Sequence, residues 1–262
     1  MTQDERLNFL IEAFKAEAKE YEKLCVPAER DGKRKFLRAL MNVRMPGPMS
    51  AEVLAVQDAY LRGRAEEKGI VDLQDIPVIC EGLSVWQGDI TRLAVDAIVN
   101  AANSAMLGCF VPGHNCIDNC IQTYAGVQMR AECDRQMKLL KREYGQSYVQ
   151  PTAIPLLTDG YNLPAKKVVH IVGPVVTGPL TQKHRTELAA CYTNTLDLCM
   201  REGLKSLAFC CISTGVFHFP NEEAAEIAVN TVRGWQETQG NVIERIIFNV
   251  FKDEDKKCYE NL

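Results

Sequence analysis

A layered α/β body with a mostly parallel central sheet, preceded by a helical extension, is the architecture this chain predicts. Two observations carry it. From residue 79 onward, short apolar runs of strand length alternate with longer helical patterns, the order that strand-helix-strand units leave in a sequence and that packs as three α/β/α layers. Over the first 78 residues, apolar positions instead recur every three or four residues, as on one face of a helix. The expected division is therefore 1–78 for the extension and 79–262 for the α/β body.

In the extension, Leu7, Leu10, Ile11, Phe14, Tyr21 and Leu24 form one apolar face that Pro27 should end. A second helix is expected over 28–41. The segment Met45-Pro46-Gly47-Pro48 breaks the chain, and Ser50 is a good N-cap for a third helix reaching about residue 68. Residues 69–77 read as a linker. Stripes of this kind mostly mean packing, so the extension is expected to cap the body.

In the body, strands are expected at 83–86, 97–100, 168–172, 207–212 and 245–251, whose continuous hydrophobicity implies cover on both faces. Helices are expected at 117–144, 186–200 and 222–235, the last opened by Pro220-Asn221 with Asn221 as cap. In open α/β sheets a ligand lies beyond the carboxyl ends of the strands. Asn103, the segment after Val172 and the loop at Ser213 all follow strands.

Composition narrows the function. A net charge of −4 argues against a nucleic-acid partner, since neutralising phosphates needs a basic face. The opening MTQDERLNFL has early acids and no apolar run for a signal peptide or membrane helix, so a cytoplasmic location without membrane association is expected. The cysteine count of 11 is odd, and pairs such as Cys210-Cys211 lie in apolar elements, so most are expected to be reduced core thiols.

The candidate chemistry centres on Cys109, His114 and Cys116. Two sulfurs and one imidazole are soft and borderline donors that favour Zn²⁺, and three protein ligands leave a fourth tetrahedral position open. Pro112 and Gly113 suit the tight loop this requires. The spacing is not that of a standard finger, and a cysteine-rich chain also produces such clusters without a metal. Cys120 is a reserve ligand.

The flanks of this cluster, Gly88-Asp89-Ile90-Thr91, the run 95–103, Cys116-Ile117-Asp118-Asn119, the run 158–174 and Ser213-Thr214-Gly215-Val216-Phe217, resemble the macrodomain family. The resemblance is to its zinc-containing microbial branch of ADP-ribosyl hydrolases, in which a Cys/His cluster replaces the glycine-rich phosphate loop. It spans roughly residues 80–255. It departs at Gln122, where a histidine is expected. It implies that Asp89, with Ile90, receives the adenine, that Phe251 lies against the adenine ring with Phe248 as competitor, and that Asn103 contacts the distal ribose. Asp118 is then near diphosphate and ribose, besides being a helix-start acid. The turn Ser213, Thr214, Gly215, Val216 and Phe217 presents backbone N–H groups to the diphosphate, which lets an acidic protein bind an anion. Asn100 is expected to bond local backbone, His170 to be packed, His184 exposed and His218 a bystander.

These features imply hydrolysis of the bond between C1″ of ADP-ribose and a modified protein, with ADP-ribose and the mono-ADP-ribosylated protein as partners and Zn²⁺ as cofactor. Asn103, Asp118 and the three metal ligands are the catalytic set. Zinc either polarises a ribose hydroxyl or acidifies water. A non-catalytic ADP-ribose reader, an O-acetyl-ADP-ribose deacetylase and a thiolate redox sensor remain as alternatives.

Overall fold

The computed structural model describes residues 1–259. Four helices lead: α1 (Gln3–Lys15), α2 (Lys19–Glu22), α3 (Arg30–Val43) and α4 (Ala51–Lys68). Helix α1 stops well before Pro27. Ala18 is extended (φ −147°), Tyr21 falls in the single turn of α2, and Leu24 is exposed. Thr2 caps α1 by accepting the Glu5 N–H, while its own N–H donates to the Glu5 carboxylate, and Ser50 caps α4 through the Val53 N–H, as its position predicts. Leu7, Leu10, Ile11 and Phe14 of α1 are at most 1% exposed and pack against α3 and α4. Their burial stabilises the extension by roughly 1.5–3 kcal/mol each.

The presumed linker contains a strand, β1 (Val71–Asp72), paired in parallel with β3 (Leu93–Ala94). The main strands are β2 (Leu83–Gln87), β4 (Ala97–Ala102), β5 (Leu156–Asp159), β6 (Lys167–Val172), β7 (Ser206–Phe209) and β8 (Arg245–Val250). They form a six-stranded sheet in the order β2-β8-β7-β4-β6-β5, parallel throughout except β5 against β6. The edge strand β5 escaped the sequence reading because its four residues are too few to show alternation. Strands β7 and β8 end earlier than expected, at Phe209 and Val250; Cys210 and Ile212 stay in the core, while Phe251 stands exposed at its strand tip.

All of β7 and all but the first residue of β6 and of β8 are buried, so helices cover both faces. These are α5 (Ile117–Ala125), α6 (Val127–Tyr144), α7 (Gln182–Arg201), α8 (Asn221–Gln239) and α9 (Asp253–Cys258). The expected helix 117–144 is broken in two at Gly126, whose φ of +100° lies outside the helical region. The break admits Gln57 of α4, fully buried, whose Oε1 accepts the Val127 N–H at 3.1 Å. Val127 itself belongs to the apolar core of the extension. Asn221 does not cap α8; its amide donates to Asp255 at 2.6 Å. All eleven cysteines are free. Among the described residues no helix is long and apolar enough to cross a membrane.

Asp96 fastens the amino ends of β4 and β7. Its Oδ2 accepts the Lys205 and Ser206 N–H groups at 2.8 and 3.0 Å, and Lys166 Nζ donates to Oδ1 at 2.7 Å. Burial works against its charge, but these donors outweigh it and hold the carboxyl below its ordinary range. A depressed folded value means that its stabilisation is complete above the unfolded carboxyl range and is lost as acid titrates the folded group. Asp96→Ala is expected to lose about 1.5–3 kcal/mol in neutral urea unfolding, with the gap to wild type narrowing in acid. A gap that stays constant into acid contradicts this role.

Candidate functional site

The parallel strands β2, β8, β7, β4 and β6 point their carboxyl ends the same way, so the segments after them meet along one edge. In sheet order these are Asp89 after β2, Phe251 after β8, the Ser213 turn after β7, and Asn103 after β4. Adjacent strands lie about 4.8 Å apart, so the row from β2 to β4 spans about 14 Å.

At one end, Gly88 N–H donates to Val250 O at 2.9 Å and joins the tips of β2 and β8. Phe251 is 70% exposed there, whereas its competitor Phe248 is 1% exposed and belongs to the core. A free aromatic face at a strand tip suits a flat ring. The Ile90 side chain is buried, which leaves only its backbone for a ligand. Asp89 Oδ1 accepts from Thr91 N–H and Oγ1–H at 3.0 and 2.6 Å. Its Oδ2 takes a 2.9 Å bond from Lys68 of α4, whose ammonium lies 3.2 Å from the Tyr124 ring centroid. Burial disfavours the Asp89 charge, yet Lys68 and Thr91 prevail and its carboxyl sits below the ordinary value. Lys68 gave no signal in the sequence beyond a basic residue closing a helix.

The turn after β7 is shaped by Ser213 at φ +66° and His218 at φ +58°. Phe219 N–H returns to Ser213 O at 3.0 Å, and Val176 N–H donates to Phe217 O at 2.9 Å, tying this turn to the segment after β6. Among the described residues, the N–H groups of Gly215, Val216 and Phe217 have no acceptor, and Gly215 and Val216 are exposed. Such free amides form an anion nest. Gly173 makes the close approach possible, since a Cβ there would fall 2.1 Å from Ser213 Oγ.

A buried polar chain supports the tip of β4. Asn103 donates to Gly108 O at 3.1 Å and to Asp118 Oδ2 at 3.3 Å, while its Oδ1 accepts the Ala105 N–H. Asn100 does not bond local backbone. Its Nδ2 lies 2.8 Å from Asp118 Oδ1 and 3.0 Å from His170 Nδ1, and His170 Nε2 is 2.9 Å from Thr158 Oγ1. An amide nitrogen offers two hydrogens, so both Asn100 bonds form only when His170 Nδ1 is bare and its proton is on Nε2. Burial agrees, pushing His170 down to about 4. Burial likewise raises Asp118 to about 6, with Asn100 and Arg130 pulling the other way. His170 is thus packed, as expected, but also bonded.

Beside this chain lies the cysteine loop. The ligating atoms of Cys109, His114 and Cys116 all lie within 4.8 Å of one another, with Cys109 Sγ and His114 Nδ1 3.5 Å apart. Zinc bonds of about 2.3 Å to sulfur and 2.0–2.1 Å to nitrogen make tetrahedral edges of roughly 3.5–3.8 Å, so the donors fit one ion with small adjustment. Burial pushes the Cys116 thiol up to about 12; the Asn119 N–H pulls it down, and Cys109 and Asp118 add to the rise. Cys120 stands outside the cluster, its sulfur 3.4 Å from Arg38 Nη2. His184 is half-buried rather than exposed, since its ring nitrogen accepts the Thr181 N–H in the α7 cap, and His218 is exposed beside the Ser213 turn. Gln122 is buried with neither amide atom partnered among the described residues.

The protein is thus a mostly parallel α/β domain with free backbone amides, an exposed aromatic and a buried polar network in one row along its strand tips, the edge at which open α/β sheets receive ligands. Residues 99–228 match the Macro domain family. A protein-ADP-ribose hydrolase of Treponema medium is 48% identical, covering 100% of this chain and 99% of its own. One of Staphylococcus aureus (strain MRSA252) is 42% identical, covering 97% and 94%. The Trypanosoma brucei macrodomain, solved in complex with ADP-ribose, superposes with a TM-score of 0.64 at 28% identity, covering 86% of this chain and 94% of that one. This chain belongs to the macrodomain family.

His170→Leu is expected to leave one Asn100 hydrogen and the Thr158 hydroxyl without partners, lowering urea-unfolding stability by about 1–3 kcal/mol beyond any packing change. A variant as stable as wild type would remove the polar chain from the account.

Proposed function

We propose that this chain is a zinc-dependent hydrolase that removes mono-ADP-ribose from modified proteins. One observation carries the reading: the order of strand tips is the order of the ligand's parts. An aromatic and a carboxylate at β8 and β2 suit adenine, free amides after β7 suit a diphosphate, and the Asn103–Asp118 pair at the β4 tip suits the distal ribose. The Cys109–His114–Cys116 cluster adjoins that pair. The names and full-length similarity of the Treponema and Staphylococcus relatives support the activity.

In the bound state Phe251 stacks on adenine and the remaining lone pair of Asp89 Oδ2 accepts from its amino group. The N–H groups of Gly215, Val216 and Phe217 hold the diphosphate, so no cationic side chain is required. Asn103 retains a lone pair on Oδ1 for a ribose hydroxyl. Asp118, fixed by Asn100 and Asn103, is mostly ionised at neutral pH and orients water or a hydroxyl near C1″. Cys109, His114 and Cys116 would hold zinc with one position open, and that ion supplies Lewis acidity toward an oxygen at the reacting end. Hydrolysis breaks the C1″–acceptor bond; water gives its hydroxyl to ADP-ribose and a proton to the released side chain.

The test is release of ADP-ribose from proteins modified through Asp/Glu, Ser, Arg or Cys, with metal content measured on the same sample. Wild type is expected to release it from at least one linkage and Cys116→Ala from none; binding without release from any linkage would make the protein a reader. Asn103→Ala is expected to lower kcat/KM by about 100-fold through lost positioning, and an unchanged value removes Asn103 from the site. Gly173→Ala, by displacing Ser213, is expected to weaken ADP-ribose binding at least tenfold in calorimetry. Unaltered affinity there would exclude the Ser213 turn as the diphosphate site.

A further inference from the structure

The helical extension reaches into the cysteine loop. Arg38 of α3 donates from Nη2 to His114 O at 2.6 Å and to Asn119 Oδ1 at 3.0 Å, and from Nη1 to Asn115 Oδ1 at 3.0 Å. One helical turn on, Asn42 is 1% exposed; its Oδ1 accepts the Gly113 N–H at 2.9 Å and its Nδ2 donates to Thr123 Oγ1 at 2.8 Å. Arg130 of α6 holds α3 at that place. Its Nη1 caps the helix end at Met41 O, Asn42 O and Arg44 O, and its guanidinium lies 4.3 Å from the centroid of the Phe110 ring. From the other side Asn119 Nδ2 donates to Cys109 O and Val111 O at 3.1 and 3.0 Å. The exposed loop 109–116 thus has backbone anchors at Cys109, Val111, Gly113 and His114.

We propose that Arg38 and Asn42 are positioning residues for the metal ligands, so that the extension is the outer shell of the metal centre and preforms the loop before any ion binds. This rests on the metal reading of Cys109, His114 and Cys116. Three of those anchors lie on or next to a ligand: Cys109, His114 and Gly113. The guanidinium fork addresses three oxygen acceptors and the Cys120 sulfur in different directions, which a lysine ammonium on its flexible stem does not reproduce. Groups that orient ligands from outside typically change metal affinity 10- to 100-fold when removed.

The experiment titrates the metal-free full-length protein with Co²⁺, followed by its thiolate charge-transfer and d–d absorption, and with Zn²⁺ against a chromophoric chelator. Arg38→Ala is expected to bind both ions at least tenfold more weakly, with an altered d–d spectrum. Its circular dichroism and its metal-free ADP-ribose affinity should stay within about threefold of wild type. Arg38→Lys is expected not to restore the affinity, and Arg30→Ala, which removes a surface pair with Asp4 from the same helix, to match wild type. Equal metal affinity and spectrum in Arg38→Ala, or full recovery in Arg38→Lys, overturns the proposal. Wild type that takes up neither ion would instead fail the metal reading, and the proposal falls with it. Independently of any variant, the Gly113 amide of metal-free wild type should exchange with D₂O at least tenfold slower than an open loop; unprotected exchange shows that the loop is not preformed.

Discussion

The first turn of α5 is the constraint on which the site depends. Cys116 is its N-cap, with Sγ accepting the Asn119 N–H at 3.4 Å, so one candidate ligand is fixed by helix geometry. Two residues later Asp118 turns inward to Asn100 and Asn103 at the tip of β4. Asn119, fully buried, turns outward and clamps the loop that carries Cys109. Sulfur, carboxylate and loop anchor thus come from one helical turn.

The net charge is −4, and the proposed ligand is an anion. The free amides of the Ser213 turn offer partial positive charge without adding net charge. Lys68 offsets Asp89, and Arg130 lies near enough to Asp118 to oppose the desolvation of its carboxylate. The Cys116 thiol, raised by burial, is poorly ionised by itself, and a bound cation is the group that would reverse this. The apolar chemistry is simpler: the sheet is buried on both faces, and its rigidity fixes the spacing of the tips.

Much of this was legible in the sequence. Continuous apolar runs at β4, β6, β7 and β8 report a buried parallel sheet directly, because both faces must be covered. Ser50 and the Pro46–Pro48 break located α4 by local chemistry alone. The failures have particular causes. The helix over 117–144 kept its apolar periodicity across Gly126, and the partners that hold the break open come from distant elements: Gln57 on the Val127 N–H and Asn162 on Ala125 O. Asn100 was read as a local backbone partner because its real partners come from elsewhere in the chain: His170 by pairing of β6 with β4, and Asp118 by packing of α5 against β4. Arg38, Asn42 and Lys68 look like ordinary polar positions on amphipathic helices, and their contacts exist only in three dimensions. The cysteine cluster was visible as a spacing; its convergence to within 4.8 Å was not.

In the proposed complex a metal held by Cys109, His114 and Cys116 sits at the distal-ribose end of an ADP-ribose laid along the strand tips. Anomalous diffraction across the zinc edge, from crystals of protein purified without added metal and soaked with ADP-ribose, tests it most directly. The expected result is one zinc peak about 2.0–2.4 Å from all three side chains, with adenine at Phe251 and the distal ribose beside Asn103. A peak bound by other residues, or no peak with ADP-ribose seated elsewhere, contradicts it.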